Sequence, residues 1–200
     1  MFRFFCQKVK EKCPILVFLM ETKLHKNKMG WVKQKLGFNN MLVVDSVGRS
    51  GGLALLWSDE KGVEIQNYSH RHIHAKVNQP GTTRWFFTRF YRHPKAQKRC
   101  KAWDLLRFVK SKVNGPWLCA GDFNKILTDS GKVGGRKCPR FRMENFKNTM
   151  DFCGLYELQC NGSVFTWDNG QVDGNFTKEK LDRGWPISNG LNFSQELSRL

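Results

Sequence analysis

Residues 116–124 read Pro-Trp-Leu-Cys-Ala-Gly-Asp-Phe-Asn. Trp117 to Ala120 is a short, unbroken apolar run that follows the breaker Gly115-Pro116 and stops at Gly121. A run of that length without polar alternation predicts a strand buried on both faces. It delivers Asp122 and Asn124, which lie two apart and so share a face while the chain stays extended. Ends of buried strands open onto the rim of a sheet, where rigid supports hold functional side chains.

The same plan recurs outward from this stretch. Ile15 to Met20 is a second buried strand, bracketed by Pro14 and Glu21, so its end presents Glu21. A third strand, predicted near Phe176–Asp182, ends on Asp182. Carboxylates on converging strand ends are hard oxygen donors suited to Mg²⁺ or Mn²⁺. Apolar spacing predicts helices at Phe2–Cys13, Lys26–Leu36 with Gly37 as its cap, Ala96–Val113, and about 140–153 followed by Gly154. Further strands are expected at Met41–Val44, Leu53–Trp57, Val63–Ser69, His72–Asn78, Arg84–Tyr91 and Val164–Trp167, with turns at Gly48–Gly52, Gln79–Thr82 and Asp168–Gly170. Strands and hairpins mixed with a few helices predict an α+β fold, largely antiparallel, with two sheets face to face and helices outside.

Charge narrows the partners. The 200 residues carry 34 Lys and Arg against 17 Asp and Glu, a net charge of +17. The first hundred residues hold +13 of it and the second hundred +4. A field of that sign draws polyanions, nucleic acid first among them. No apolar run approaches the ~18 residues of a membrane span, and the charged N-terminus is not a signal peptide. Seven cysteines without a C-x-x-C pair read as reduced thiols, which places the chain in the nucleus or cytoplasm.

Seven segments in one order then carry a resemblance: Phe18–Leu24 (FLMETKL), Val43–Trp57 (VVDSVGRSGGLALLW), Phe87–Pro94 (FTRFYRHP), Pro116–Asn124, Gly134–Arg136, Cys153–Gly170 and Lys178–Arg183 (KEKLDR). The series resembles the endonuclease/exonuclease/phosphatase family, DNase I-like, and most of all the endonuclease domain of plant non-LTR retrotransposons. It spans about residues 5–185, so a partial domain is expected over 1–185 and a divergent tail over 186–200. The resemblance implies a four-layered αββα sandwich and Mg²⁺-dependent (or Mn²⁺-dependent) phosphodiester hydrolysis on nucleic acid, DNA in the first instance. It makes Glu21 a metal ligand, and it has Tyr91 hydrogen-bond the scissile phosphate. It has Asp122 orient or deprotonate the attacking water, Asn124 hold that water and a phosphate oxygen, and Asp182 orient a catalytic imidazole.

Two departures from the family pattern set a second expectation. The family's opening Asn strand and closing Ser-Asp-His strand have no counterpart here, and all five histidines precede residue 94. Arg89 and Arg92 also stand where relatives carry Gly. A weakened or inactive enzyme is therefore expected, or a retrotransposon-derived remnant that binds nucleic acid without cutting it.

Other patterns have plainer readings. His70, His72 and His74 share a strand face, which is expected to be exposed rather than metal-binding. The Gly48–Gly52 segment lacks the Lys-Ser/Thr of a phosphate loop. Trp57, Trp103, Trp117 and Trp167 are expected in the core. The basic run Arg84–Lys101 is either a backbone-binding rim or a solvated helix face.

Overall fold

Continuous apolar runs fold as strands here because both of their faces are covered. The computed structural model describes residues 2–46, 51–58, 62–78, 81, 83–91, 100–123, 125–157, 164–172 and 175–187. In chain order the elements are α1 (Phe2–Lys12), β1 (Leu16–Met20), α2 (Lys26–Leu36), β2 (Asn40–Val44), β3 (Leu53–Trp57), β4 (Val63–Ser69), β5 (His72–Val77) and β6 (Trp85–Tyr91). They continue as α3 (Cys100–Lys112), β7 (Trp117–Asp122), β8 (Lys132–Gly134), α4 (Arg140–Cys153), β9 (Trp167–Asp168), β10 (Thr177–Glu179) and β11 (Asp182–Pro186).

Among the described residues the strands form a three-stranded sheet β1-β3-β2, a five-stranded sheet β11-β7-β6-β5-β4 and a small sheet β8-β10-β9. Neighbours are antiparallel except β6 and β7, which run parallel. A parallel pair needs a crossover, and α3 lies in the connection between these two strands.

Successive strand residues point to opposite faces, which sorts the apolar side chains into three cores. Leu53 and Leu55 meet Ile73, Ala75, Phe87 and Leu118 between the two larger sheets. Ala54 and Leu56, on the reverse face of β3, pack on Val9 of α1 and on Met29 and Val32 of α2. Phe86, Trp117 and Cys119 turn the other way and meet Leu106, Val109, Phe146 and Met150 of α3 and α4. The layers are helices, sheet, sheet, helices. This is the expected αββα sandwich.

Local signals in the sequence match most element ends. Gly37 and Gly154 both adopt the left-handed conformation past a helix, and their N–H groups close back onto the last-turn carbonyls. The predicted turns at Gly48–Gly52 and Gln79–Thr82 lie largely outside the described residues.

Three expectations are corrected. Asp182 does not end a strand: 177–179 and 182–186 are separate strands in separate sheets, and Asp182 opens the second. Leu181 and Asp182 both donate their backbone N–H to Thr166 Oγ1 at 3.0 Å at this change of sheet. The strand expected at Val164–Trp167 shrinks to Trp167–Asp168, and Trp167 is 46% exposed rather than in the core.

Candidate active site at the rim between the sheets

The parity that buries Leu118 between the sheets also turns Ala120 and Asp122 that way. Asp122 is the last residue of β7, and in the antiparallel register it faces Asp182, the first of β11. Cross-strand partners share a face at about 5 Å, so two carboxylates stand side by side at one sheet end. Tyr91, the last residue of β6, is the parallel partner of Asp122. Glu21 follows directly on β1 of the facing sheet, and Tyr91 Oη donates a 2.5 Å hydrogen bond to its Oε1. One bond thus ties the two sheets together at the rim. Glu21, Tyr91, Asp122 and Asp182 thus lie together at this rim. Asn124 lies outside the described residues.

The loop that carries Glu21 is built around unusual backbone. Glu21 and Lys23 adopt positive φ, at 52° and 49°. For residues with a Cβ this conformation costs on the order of 1–2 kcal/mol, and such strain collects at functional sites. Thr22 N–H donates to Gly52 O at 3.2 Å, and a Cβ on Gly52 would come within 2.6 Å of Thr22 Oγ1. The glycines before β3 therefore serve the Glu21 loop by leaving it room.

Gly121 has a similar role on the other sheet. A Cβ there would lie 2.1 Å from Phe90 O, inside the neighbouring strand. Arg183, beside Asp182, faces the helix side, where its Nε donates to Glu157 Oε1 at 2.8 Å and its guanidinium also bonds Lys125 O. Burial pulls its pKa down while Glu157 opposes the shift. This anchor holds β11 in place next to β7.

Electrostatics at the rim depend on Arg89. Its side chain shares the inner face with Phe87 and Tyr91, and its guanidinium lies 5.3 Å from the centre of the Phe18 ring. Burial lowers its pKa, and the carboxylates of Asp182 and Asp122 oppose that. Arg89 is thus the counter-charge of the aspartate pair. Its Nε is buried without a hydrogen-bond partner, and so is Asp182 Oδ1. Burial first, and then the hydrogen bond and charge of Glu21, push the Tyr91 phenol up to about 12. It stays a proton donor at neutral pH. Arg92, the other arginine of this segment, lies outside the described residues.

The donor chemistry fits a hard divalent ion. Carboxylate oxygens are the right ligands, and one of them, Asp182 Oδ1, is buried and unsatisfied. Among the described residues no group of three or more His, Cys, Asp or Glu draws together as a complete cage. Mg²⁺ does not require one, since it commonly takes one or two carboxylates with water and substrate phosphate completing the shell.

Of the three histidines expected on an exposed face, His70 is exposed but the other two are not. His72 and His74 are buried, stacked on Phe90 and Phe86 on the helix side of the sheet. His74 Nδ1 lies 2.7 Å from Thr88 Oγ1, which accepts the indole N–H of Trp117 at 2.8 Å. Thr88 Oγ1 has one proton and two lone pairs, so it partners His74 Nδ1 in either tautomer of the neutral imidazole. Burial pulls both imidazoles down to about 4. They are core groups. Sequence reasoning missed them because alternation looks the same whether a helix covers the face or not.

The comparisons agree with this geometry. A profile of the Endonuclease/Exonuclease/phosphatase family matches residues 8–182. No curated protein matches the chain in sequence. Among solved structures, the endonuclease domain of TRAS1, a telomere-specific non-LTR retrotransposon, superposes with TM-score 0.65 at 14% identity, over 92% of this chain and 79% of that one. An AP endonuclease from Archaeoglobus fulgidus gives 0.64 at 14% identity, over 93% and 81%. The D. rerio TDP2 complexed with single-strand DNA product gives 0.62 at 15% identity, over 94% and 76%. At these identities the likeness is one of fold, and it coincides with the family match over most of the sequence. The chain belongs to the Endonuclease/Exonuclease/phosphatase family.

Proposed function

We propose that the protein is a Mg²⁺-dependent phosphodiester hydrolase acting on nucleic acid, DNA in particular. The convergence of Glu21, Tyr91, Asp122 and Asp182 on one rim carries this reading. Glu21 would hold the metal, which when bound neutralises charge developing on the non-bridging phosphate oxygens. Tyr91 would donate a hydrogen bond from its hydroxyl to a phosphate oxygen and keep its proton. Asp122 orients the attacking water and accepts its proton, with Asn124 as a second holder. Asp182 offers its unsatisfied oxygen to the N–H of an imidazole or of a substrate group.

We propose in addition that turnover is slow. Arg89 is buried at the rim within the field of Asp182 and Asp122, so it lowers the negative potential that would draw a divalent ion to Glu21 and weakens Asp122 as a proton acceptor. The same observation supports a second reading, a retrotransposon-derived protein that binds nucleic acid through its +17 charge without cleaving it.

Nicking of supercoiled plasmid separates the two. Nicking that requires Mg²⁺, stops in EDTA and disappears in Asp122→Ala is the expected result. If equal nicking, or none, comes from both folded proteins, the hydrolase reading is lost and the binding one remains.

A further inference from the structure

Next to the rim lies a second feature that the hydrolytic chemistry does not use. Lys125, Lys132, Arg136, Lys137 and Arg142 line a cavity of about 480 Å³ together with one carboxylate, Glu179. Glu179 is committed to Lys132 at 2.7 Å. The excess positive charge therefore rests on the other cations, of which Arg136, Lys137 and Arg142 are exposed. The pocket opens at the start of α4, where the helix dipole adds to the positive potential.

Its place relative to the rim defines the ligand. Lys125 follows Asp122 by three residues, and Glu179 precedes Asp182 by three. The Cα atoms of Lys125 and Glu179 therefore lie within about 10 Å of those of Asp122 and Asp182, the most that three residues can span. That reach is about three base-pair steps measured along the axis of a duplex, at 3.4 Å each.

We infer that this pocket grips the phosphodiester backbone of the nucleic acid to one side of the scissile bond, with Arg136, Lys137 and Arg142 as its phosphate contacts. The inference deepens the reading above and rests on its nucleic-acid substrate class. Guanidinium forks suit phosphate oxygens, and such contacts add affinity and fix register without reading sequence.

The test is equilibrium binding of a labelled DNA duplex by fluorescence anisotropy, in EDTA, across a series of NaCl concentrations. The full chain is compared with Arg136→Gln/Lys137→Gln/Arg142→Gln and with Lys10→Gln/Lys12→Gln/Lys35→Gln. The second triple removes the same charge from α1 and α2. Lys12 and Lys35 lie near the end of the first sheet where Leu16 and Asn40 both pair with Trp57, opposite the Glu21 end. Each backbone contact contributes about 0.9 to the slope of log affinity against log salt. The pocket triple should lower that slope by about 2 to 3, Arg136→Gln alone by about 1, and the distant triple by less than 1. An unchanged slope in the pocket triple, or an equal fall in both triples, overturns the proposal. Because binding is measured without metal, failure of plasmid nicking leaves this result intact. A wild-type chain that does not bind duplex at all overturns both readings.

Discussion

Tyr91 is the residue on which the rim turns. Its hydroxyl donates to Glu21 across the gap between the two sheets, so Tyr91→Phe should free the carboxylate and remove a phosphate donor. Loss of one such transition-state donor costs about 10²–10³ in rate. If Tyr91→Phe nicks plasmid as fast as wild type, Tyr91 has no part in the reaction. The phenol also carries a pH signature. Its folded pKa, about 12, lies above the ordinary 10, so the protonated form favours folding. That contribution is complete below pH 10 and is lost as pH rises towards 12. Thermal melts across that window should fall more steeply for wild type than for Tyr91→Phe, and parallel curves would refute the shift.

At the scale of the element, β7 is decisive because it has a neighbour on either side and a core on both faces. Gly121 in its interior cannot take a side chain without pushing into Phe90 O. Overpacking of this kind costs about 1–3 kcal/mol. Gly121→Ala should lower the melting temperature and, by moving Asp122 off its register with Asp182, lower nicking as well. A melting curve equal to wild type would mean that β6 and β7 yield more readily than the packing suggests. The Gly-Asp pair was legible in the sequence as the end of a buried strand. The reason that its glycine is required was not, because the obstructing atom belongs to a strand about 30 residues earlier.

Strand β5 makes a related point. His72 and His74 are neutral in the folded protein down to about pH 4, while unfolded imidazoles take a proton near 6.5. A lowered folded pKa contributes stability above pH 6.5 that is lost as pH falls towards 4. At 1.36 kcal/mol per pKa unit the loss approaches about 3 kcal/mol per ring. Urea denaturation between pH 7 and 4 should show wild type losing more stability than His72→Phe. Equal losses would mean that His72 already takes up its proton within the fold.

For the whole molecule, the net charge of +17 is a repulsive term that the fold carries in every layer. Screening should relieve it, since the Debye length falls from about 10 Å at 0.1 M salt to 3 Å at 1 M. Melting temperature should therefore rise with NaCl while affinity for DNA falls. A melting temperature that drops with salt would mean that ion pairs such as Lys180–Glu157 and Arg183–Glu157 outweigh the repulsion. Among the described residues no helix is long and apolar enough to cross a membrane.

The sequence by itself determined what each segment can be. Apolar runs between breakers became strands, periodic stretches became helices ended by Gly37 and Gly154, and the order of motifs specified the family. It also pointed to Glu21 and Asp122 as acids that close strands, and the resemblance added Asp182. Only the tertiary structure decided who faces whom. It paired Asp122 with Asp182 across a strand boundary that local pattern had placed wrongly, buried Arg89 within their field, and buried His72 and His74 against Phe90 and Phe86. Those outcomes depend on contacts between residues tens of positions apart, and parity along one strand states which side a residue faces but not what waits there.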